Sequence, residues 1–242
     1  MSTCLLVPTL FTGGTVLRTI VLCDFDGTVV TADVQHVILN HYAGDAWLPI
    51  NEAWRRGEVS TEERARQQWA LVHTTEGELA DLVTRLPLDP TFRPFVAFCR
   101  QRGYGLSIVS DGFDFYIERI LAAHGLSAVP FTANHLEFNN GRIELTFTNP
   151  NPACCRLGNC KRLVVEKLRS PNGRVVYVGD GLSDACGADA ADLVFAKGLL
   201  VDHCQEHGIP FRPFHDFADI MADREIATET HGNTQNFIDE LC

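Results

Sequence analysis

The chain has 242 residues, of which 45% are hydrophobic and 21% are charged, a composition typical of a globular protein and not of a disordered one. The net charge is −11 and no basic patch is visible, so we expect no nucleic-acid partner. Nine scattered cysteines do not resemble a disulfide scaffold, and they favour reduced thiols in a cytoplasmic protein. No apolar stretch approaches the length of about 18 residues that a membrane-spanning helix requires.

The chain begins with an uncharged segment that lacks the basic start of a signal peptide. We predict that residues 1–18 form a loose leader. Residues 19–23 (TIVLC) are continuously apolar, which predicts a strand buried on both faces. Residues 33–87 show helical spacing and a Ser60–Glu63 capping box. Because this helical block interrupts a later alternating pattern, we interpret it as an inserted cap.

The alternation of strands and helices resumes after the insert. Residues 105–109, 174–178 and 193–196 are predicted strands, and the helix at 161–168 lies among them. An Asn-Gly turn at 140–141 between alternating segments predicts a β-hairpin. The predicted fold is an α/β, Rossmann-like parallel sheet, with a core of residues 19–32 and 88–221, a helical cap at 33–87 and a tail at 222–242.

Three predicted strands end in polar residues. Asp24 and Asp26 follow the first strand, Ser110 and Asp111 the second, and Asp180 a later one. Ligands of parallel sheets bind at the carboxyl ends of strands, and neighbouring strands lie about 4.8 Å apart. We therefore expect these side chains to converge on one small site.

The residue types at these strand ends suit phosphoryl transfer. One of two nearby carboxylates can attack phosphorus, and the other can protonate the leaving alcohol and then deprotonate water. Asp24, Asp180 and a backbone carbonyl can bind Mg²⁺, which prefers oxygen ligands. The Ser110 hydroxyl can hold phosphate oxygens, and Lys161 can neutralise charge in the transition state.

The order of these motifs resembles the haloacid dehalogenase-like (HAD) hydrolases. The motifs are DFDGT at 24–28, Ser110 at a strand end, Lys161, and GDGLSD at 179–184, and the resemblance covers roughly residues 19 to 220. The helical insert directly after the first motif is similar to the small-cap subfamily that includes phosphoserine phosphatase. Residues 110–116 and 192–197, with the cysteines before Lys161, resemble the methionine-salvage branch, the 2-hydroxy-3-keto-5-methylthiopentenyl-1-phosphate phosphatases.

The resemblance implies a Mg²⁺-dependent phosphatase of a small phosphate ester that works through a phospho-aspartate. It makes Asp24 the nucleophile and Asp26 the acid and base, with Ser110 and Lys161 on the phosphate. It also assigns the metal to Asp24, the Asp26 carbonyl and Asp180, with Asp184 supporting the metal's water shell.

Two residues on the substrate side depart from the family pattern. Asp111 stands where glycine is common, and we expect its carboxylate to point away from the phosphate. Asp33 replaces a longer acid that faces the substrate amine in phosphoserine phosphatases. We therefore expect a keto-enol or sugar-like phosphate to be preferred over phosphoserine, with specificity set by the cap.

Other interpretations stay open at this point. Phosphoserine phosphatase or another small-metabolite phosphatase is the alternative enzyme, and a catalytically silent regulatory relative is the alternative from another class. A phosphate-receiving signalling domain also uses an Asp and magnesium, but it lacks a large cap. Cys154, Cys155 and Cys160 are either metal ligands or simple thiols. Neither the physiological substrate nor the oligomeric state follows from the sequence.

Overall fold

The computed structural model describes residues 18–151, 158–171 and 173–228. Within this part of the chain, one sheet has seven strands, in the spatial order 4-3-2-1-5-6-7. Neighbouring strands run parallel except for an antiparallel pair formed by the third and fourth. In chain order the strands are β1 Arg18–Cys23, β2 Gly105–Phe113, β3 Phe131–Asn139, β4 Arg142–Thr146, β5 Gly173–Gly179, β6 Leu193–Ala196 and β7 Arg212–Pro213.

Helices fill the connections between these strands. Four of them follow β1 before the chain returns to the sheet, namely α1 Val34–Ala43, α2 Leu48–Arg55, α3 Thr61–Trp69 and α4 Glu76–Val83. The others are α5 Phe92–Arg102, α6 Asp114–Ala123, α7 Lys161–Leu168, a 3₁₀ turn Leu182–Asp184, α8 Ala185–Ala190, α9 Gly198–His207, α10 Phe217–Ala222 and α11 Arg224–Thr228. The predicted α/β class with a parallel sheet is confirmed. None of the described helices has the length and apolar character to cross a bilayer.

Strand β1 lies at the centre of the sheet because its side chains are apolar on both faces. Val21 and Cys23 pack into one hydrophobic cluster, and Ile20 and Leu22 pack into a second cluster on the other face. The strand pairs in parallel register with β2 on one side and β5 on the other. The carboxyl ends of these three strands therefore meet at one edge of the sheet.

Three of the four helices between β1 and α5, namely α1, α3 and α4, pack onto the core through their apolar faces. Ile38, Trp69 and Leu79 belong to the same hydrophobic cluster as Val21. The Ser60–Glu63 capping box is present at the start of α3, and Thr75 and Glu78 form another at the start of α4. These helices lie within the segment that the sequence predicts to be the cap, and the division into core and cap domains stays a prediction.

The hairpin and the end of β2 show how the backbone is shaped around the sheet edge. Asn140 and Gly141 both have positive φ, of 49° and 77°, which suits a tight turn between β3 and β4.

Strand β2 continues past Val109 to Phe113, and its register with β3 shifts over this stretch. The predicted strand ended at residue 109, because a polar Ser-Asp-Gly sequence is typical of a turn. Residues 110–112 instead form a bulged extension of the strand.

The C-terminal part of the described chain differs from the predicted tail at 222–242. Helix α11 places Ile226 in the core with 1% of its surface exposed, and the Tyr104 hydroxyl donates a hydrogen bond of 2.8 Å to the Ile226 carbonyl. Arg212 forms ion pairs with Asp223 and Glu225. A single apolar residue in a short polar segment gives too weak a periodic signal to predict this helix. Residues 229–242, and 1–17 of the predicted leader, lie outside the described residues.

We predict that Ile226→Ala lowers the free energy of unfolding by about 2–4 kcal/mol, because it removes buried methyl groups and leaves a cavity. Arg224→Ala, at an exposed position in the same helix, is the control and is expected to change stability by less than about 0.5 kcal/mol. Urea denaturation measures both variants. Equal stability of the two would contradict the packing of α11 on the core.

Candidate active site

The polar residues at the ends of the three central strands converge as the sequence predicts. The Asp24 amide donates a hydrogen bond of 2.8 Å to Val178 O, which fixes the residue after β1 against β5. The Thr28 hydroxyl donates to Asp180 Oδ1 at 3.0 Å. Gly27 has a φ of 76°, and a β-carbon there would collide with the Asp180 carboxylate. The DFDGT turn therefore folds directly against the loop that follows β5.

A fully buried lysine lies between two carboxylates at this edge. Lys161 Nζ, at the first position of α7, is 2.6 Å from Asp24 Oδ1 and 2.5 Å from Asp184 Oδ1. Asp184 Oδ1 also accepts a bond of 2.7 Å from the Tyr177 hydroxyl. Its Oδ2 accepts from the amides of Asp180 and Gly181 at 3.0 and 2.9 Å. Both oxygens of Asp184 are thus used to hold Lys161 and the 179–181 loop.

The charges of this cluster shift one another's pKa values. Burial alone would lower the pKa of Lys161, but Asp184 and Asp24 together raise it above its usual value, so the ammonium stays charged. Burial, and then the like charge of Asp184, raise the pKa of Asp24, and Lys161 opposes this rise. The ionised form of Asp24 therefore depends on the positive charge around it.

Asp26 has a different environment from Asp24. Its Oδ1 accepts a hydrogen bond of 2.8 Å from the Val34 amide, and its Oδ2 lies 3.4 Å from the Ser110 hydroxyl. Burial, followed by the negative charge of Asp33, raises the pKa of Asp26 to about 8. A carboxyl group with that pKa holds its proton near neutral pH and can donate it.

Three carboxylates form a cluster that could hold a cation. Oxygens of Asp24, Asp180 and Asp184 lie within 4.8 Å of one another. Burial, and next the charge of Asp184, raise the pKa of Asp180 to about 6. Hard oxygen donors with mutually repelling charges fit a divalent metal ion, whose charge would offset the repulsion.

Asp111 and Asn159 connect the neighbouring loops beside the site. Asp111 Oδ1 accepts bonds of 2.9 and 3.0 Å from the amides of Gly158 and Asn159. The buried Asn159 side chain donates to Ser110 O at 2.7 Å and to Thr132 O at 3.1 Å. Both residues fix the segment that leads into Lys161. That the Asp111 carboxylate points away from a bound phosphate stays a prediction. Cys160 is a buried free thiol, and Cys154 and Cys155 lie outside the described residues.

A cavity of about 490 Å³ opens above the carboxylates and is bordered on its other side by helices α1, α2 and α3. Its floor includes Asp24, Asp26, Ser110 and Asp180. Residues from the inserted segment form its roof, namely Asp33, Gln35, His36, Asn51, Trp54, Arg55, Arg64 and Gln68. The size suits a small metabolite and not a macromolecule.

Asp33 lies in this roof, but its carboxylate is engaged with its own helix. It caps α1, because its Oδ1 accepts a bond of 2.8 Å from the His36 amide. Its Oδ2 lies 3.1 Å from His36 Nδ1. Asp33 is the only acidic residue of the predicted cap that we expected to contact the substrate, and its carboxylate already has partners within α1.

Arg64 is the residue in the roof that the sequence analysis missed. Its guanidinium stacks over Trp54, 4.1 Å from the ring centroid. Among the described residues it forms no ion pair, unlike Arg56 and Arg66, which bind Glu58 and Glu62. Burial lowers the pKa of Arg64, and Asp111 and then Asp33 oppose that shift. The sequence offered no local signal for Arg64, because α3 also carries Arg66 and two glutamates at similar helical spacing.

The chain is similar to known proteins of one family. A model of the haloacid dehalogenase-like hydrolases matches residues 21–189. A 2-hydroxy-3-keto-5-methylthiopentenyl-1-phosphate phosphatase of Geobacillus kaustophilus is 32% identical over 84% of this chain and 93% of its own length. The enzyme of the same name from Brevibacillus brevis is 30% identical over 84% of this chain and 94% of its own length.

Solved structures show the same fold. A phospho-aspartyl intermediate analogue of phosphoserine phosphatase matches with a TM-score of 0.66 at 20% identity, covering 85% of this chain and 98% of that one. Phosphoserine phosphatase from T. onnurineus matches with a TM-score of 0.63 at 19% identity, covering 90% and 98%. The resemblance inferred from the strand-end motifs is confirmed, and the chain belongs to the haloacid dehalogenase-like hydrolases.

Proposed function

We propose that this phosphatase hydrolyses a small phosphomonoester through a phospho-aspartate on Asp24. The observation that carries the proposal is the contrast between two aspartates only two residues apart. Burial raises the pKa of both, but Asp24 contacts the buried Lys161 ammonium, which opposes the rise, whereas Asp26 is bound by the Val34 amide and its pKa is raised to about 8. One carboxylate is thus held in a charged environment suited to attack, and the other keeps a proton to give.

The first step is attack of the Asp24 carboxylate on phosphorus. Lys161 holds Asp24 Oδ1, which orients the carboxylate and offsets the charge that develops on the phosphoryl oxygens. The Ser110 hydroxyl, positioned by the Gly112 amide at 2.9 Å, is available to a phosphate oxygen. Asp26 donates its proton to the leaving alcohol. In the second step Asp26 takes a proton from the water that attacks the phospho-aspartate.

Mg²⁺ is the cation that we assign to the acidic cluster, because carboxylate and carbonyl oxygens are its preferred ligands. Asp24, Asp180 and the carbonyl of Asp26 would hold it, and the bound ion would neutralise negative charge on the phosphoryl group. Asp184 contributes by orienting Lys161 and the 179–181 backbone, since both of its oxygens already accept bonds from the protein.

The substrate that we propose is the one in the names of the similar enzymes, 2-hydroxy-3-keto-5-methylthiopentenyl 1-phosphate. Two observations support it. Leu182 and Leu199, which line the cavity, are 48% and 57% exposed and would suit an apolar methylthio end. Asp33 is engaged with His36, so it is poorly placed to bind the ammonium group of phosphoserine.

The cellular setting that we propose is the cytoplasm, where thiols stay reduced. Cys23, Cys99, Cys160 and Cys204 are free thiols in the structure. With a net charge of −11, the partner is a small phosphate ester and not a nucleic acid.

The proposed substrate is tested by comparing kcat/KM for the methylthiopentenyl phosphate and for phosphoserine. We expect a preference of at least about tenfold for the former, because an ammonium group misplaced by about 1 Å from its partner can cost on the order of a hundredfold. A preference for phosphoserine would overturn the proposed substrate. Failure to hydrolyse any phosphomonoester with Mg²⁺ present would favour a catalytically silent relative.

The role of Asp26 is tested with a series of leaving groups. We predict that Asp26→Asn lowers kcat/KM for alkyl phosphates by about 10²–10⁴-fold, and much less for aryl phosphates whose leaving groups need no proton. Asp81→Asn, the same change at an exposed position of α4, is the control and should leave both activities intact. An equal loss across the series would contradict the general-acid role.

A further inference from the structure

Most of the buried polar atoms that lack a partner in the described part of the molecule lie around one cavity. Five buried side-chain atoms of the described residues have no hydrogen-bond partner, and they are Arg64 Nε, Gln68 Nε2, Trp69 Nε1, Tyr116 OH and Thr132 Oγ1. Three of the five belong to residues that line the single cavity above Asp24. A buried hydrogen-bond donor without a partner is energetically unfavourable. A ligand that supplies the missing partner would account for these unpaired atoms.

These three side chains are held in place by their neighbours. Arg64 stacks on Trp54, whose indole nitrogen is itself fixed by a bond of 3.0 Å to the Thr61 hydroxyl. Gln68 is 1% exposed, and its Oε1 accepts a bond of 2.8 Å from Gln35. Because Oε1 is used in this way, the amide nitrogen of Gln68 is left to donate to the cavity. The site is therefore preorganised before any ligand binds.

Tyr116 approaches the same cavity from the core. Its side chain is fully buried, and a β-carbon on Gly112 would collide with its hydroxyl and lie 3.0 Å from Ser110 Oγ. The hydroxyl is thus adjacent to the residue that is available to the phosphate. Arg64 and Gln68 reach the cavity from α3. All three groups therefore line the cavity that contains Asp24 and Ser110, where they are available to the part of an ester beyond its phosphate.

The chemistry of the three groups defines their ligand. A guanidinium and the nitrogen of an amide can only donate hydrogen bonds, and a tyrosine hydroxyl can donate one. A matching ligand must present acceptor oxygens, such as those of a carbonyl, enol or hydroxyl. An ammonium group would place donor against donor.

We infer that Arg64, Gln68 and Tyr116 form a leaving-group subsite that selects phosphate esters with oxygen atoms on the carbons next to the ester. The inference rests on the proposed phosphatase function and adds the residues that set its specificity. Substrates that lack those oxygens leave the three donors unpaired, which a site of this kind rejects.

A matched pair of esters tests this subsite. Dihydroxyacetone phosphate and n-propyl phosphate have the same chain length but differ in the carbonyl and hydroxyl oxygens. The readout is the ratio of their kcat/KM values, since the intrinsic reactivity of each ester is the same for every variant. We expect the ratio to fall by about 10–100-fold in Arg64→Met, and by about fivefold or more in Gln68→Leu and Tyr116→Phe. Arg56→Met, an exposed arginine of the cap outside the cavity, is the control and should keep the wild-type ratio.

A binding measurement separates this inference from the proposed function. Calorimetry on an Asp24→Asn background, with Mg²⁺ present, should show tighter binding of dihydroxyacetone phosphate than of n-propyl phosphate, and Tyr116→Phe and Arg64→Met should each reduce the difference. If the wild type hydrolyses both esters and the ratio stays within about twofold in all three variants, the subsite is refuted and the phosphatase function stands. If the wild type hydrolyses neither of these esters nor the methylthiopentenyl phosphate, the proposed function falls. Calorimetry decides the subsite in that case, and also when only the methylthiopentenyl phosphate is hydrolysed. Equal binding of the two probe esters refutes the subsite, and a preference that falls in the variants supports it. Tyr116→Phe keeps the aromatic ring and serves if Arg64→Met does not fold.

Discussion

The contact on which the rest of the site depends is the buried ammonium of Lys161 between Asp24 and Asp184. A charge with no exposed surface is costly to bury and is tolerated only with close partners of opposite charge. Two carboxylate oxygens at 2.6 and 2.5 Å supply them. Because Asp184 is in turn bound by Tyr177 and by two backbone amides, the position of Lys161 is set by β5 and its loop. Asp24 is set by β1. The start of α7, the end of β1 and the end of β5 are therefore tied together by one ion cluster.

The cap is joined to this cluster through Asp26. The amide that binds Asp26 Oδ1 belongs to Val34, the first residue of α1, so the carboxyl group assigned to proton transfer also anchors the entry into the cap. Asp33, one residue earlier, caps the same helix and raises the pKa of Asp26 by its charge. Residues 26, 33 and 34 therefore serve both the proposed proton transfer and the placement of the predicted cap. The donors that we assign to the leaving group lie on α3 and α6 and line the same cavity as Asp24 and Asp26.

The parts of the site that could be predicted are those marked by residues close together in the sequence, and contacts between residues far apart in the sequence could not be predicted. The apolar run of β1 followed by Asp24 and Asp26 is a local pattern, and it predicted the strand end at which the carboxylates converge. Lys161 was predicted as a phosphate contact, but its two carboxylate partners come from residues 137 and 23 positions away. The partners of Asp111 lie 47 and 48 positions away and could not be inferred either. Arg64 was missed because α3 is rich in charged residues, and nothing local separates the arginine that enters a cavity from those that face solvent.

The central claim is that Asp24 is phosphorylated during turnover, and chemical trapping tests it directly. The enzyme is mixed with Mg²⁺ and a phosphate ester, quenched in acid and treated with borohydride, which reduces an aspartyl phosphate to homoserine. Mass spectrometry of the peptide that contains residues 24–28 should show homoserine at position 24. The product should be missing when a chelator replaces Mg²⁺, and also in Asp24→Asn. Reduction at another aspartate, or an unmodified Asp24 in enzyme that is turning over the ester, would contradict the account.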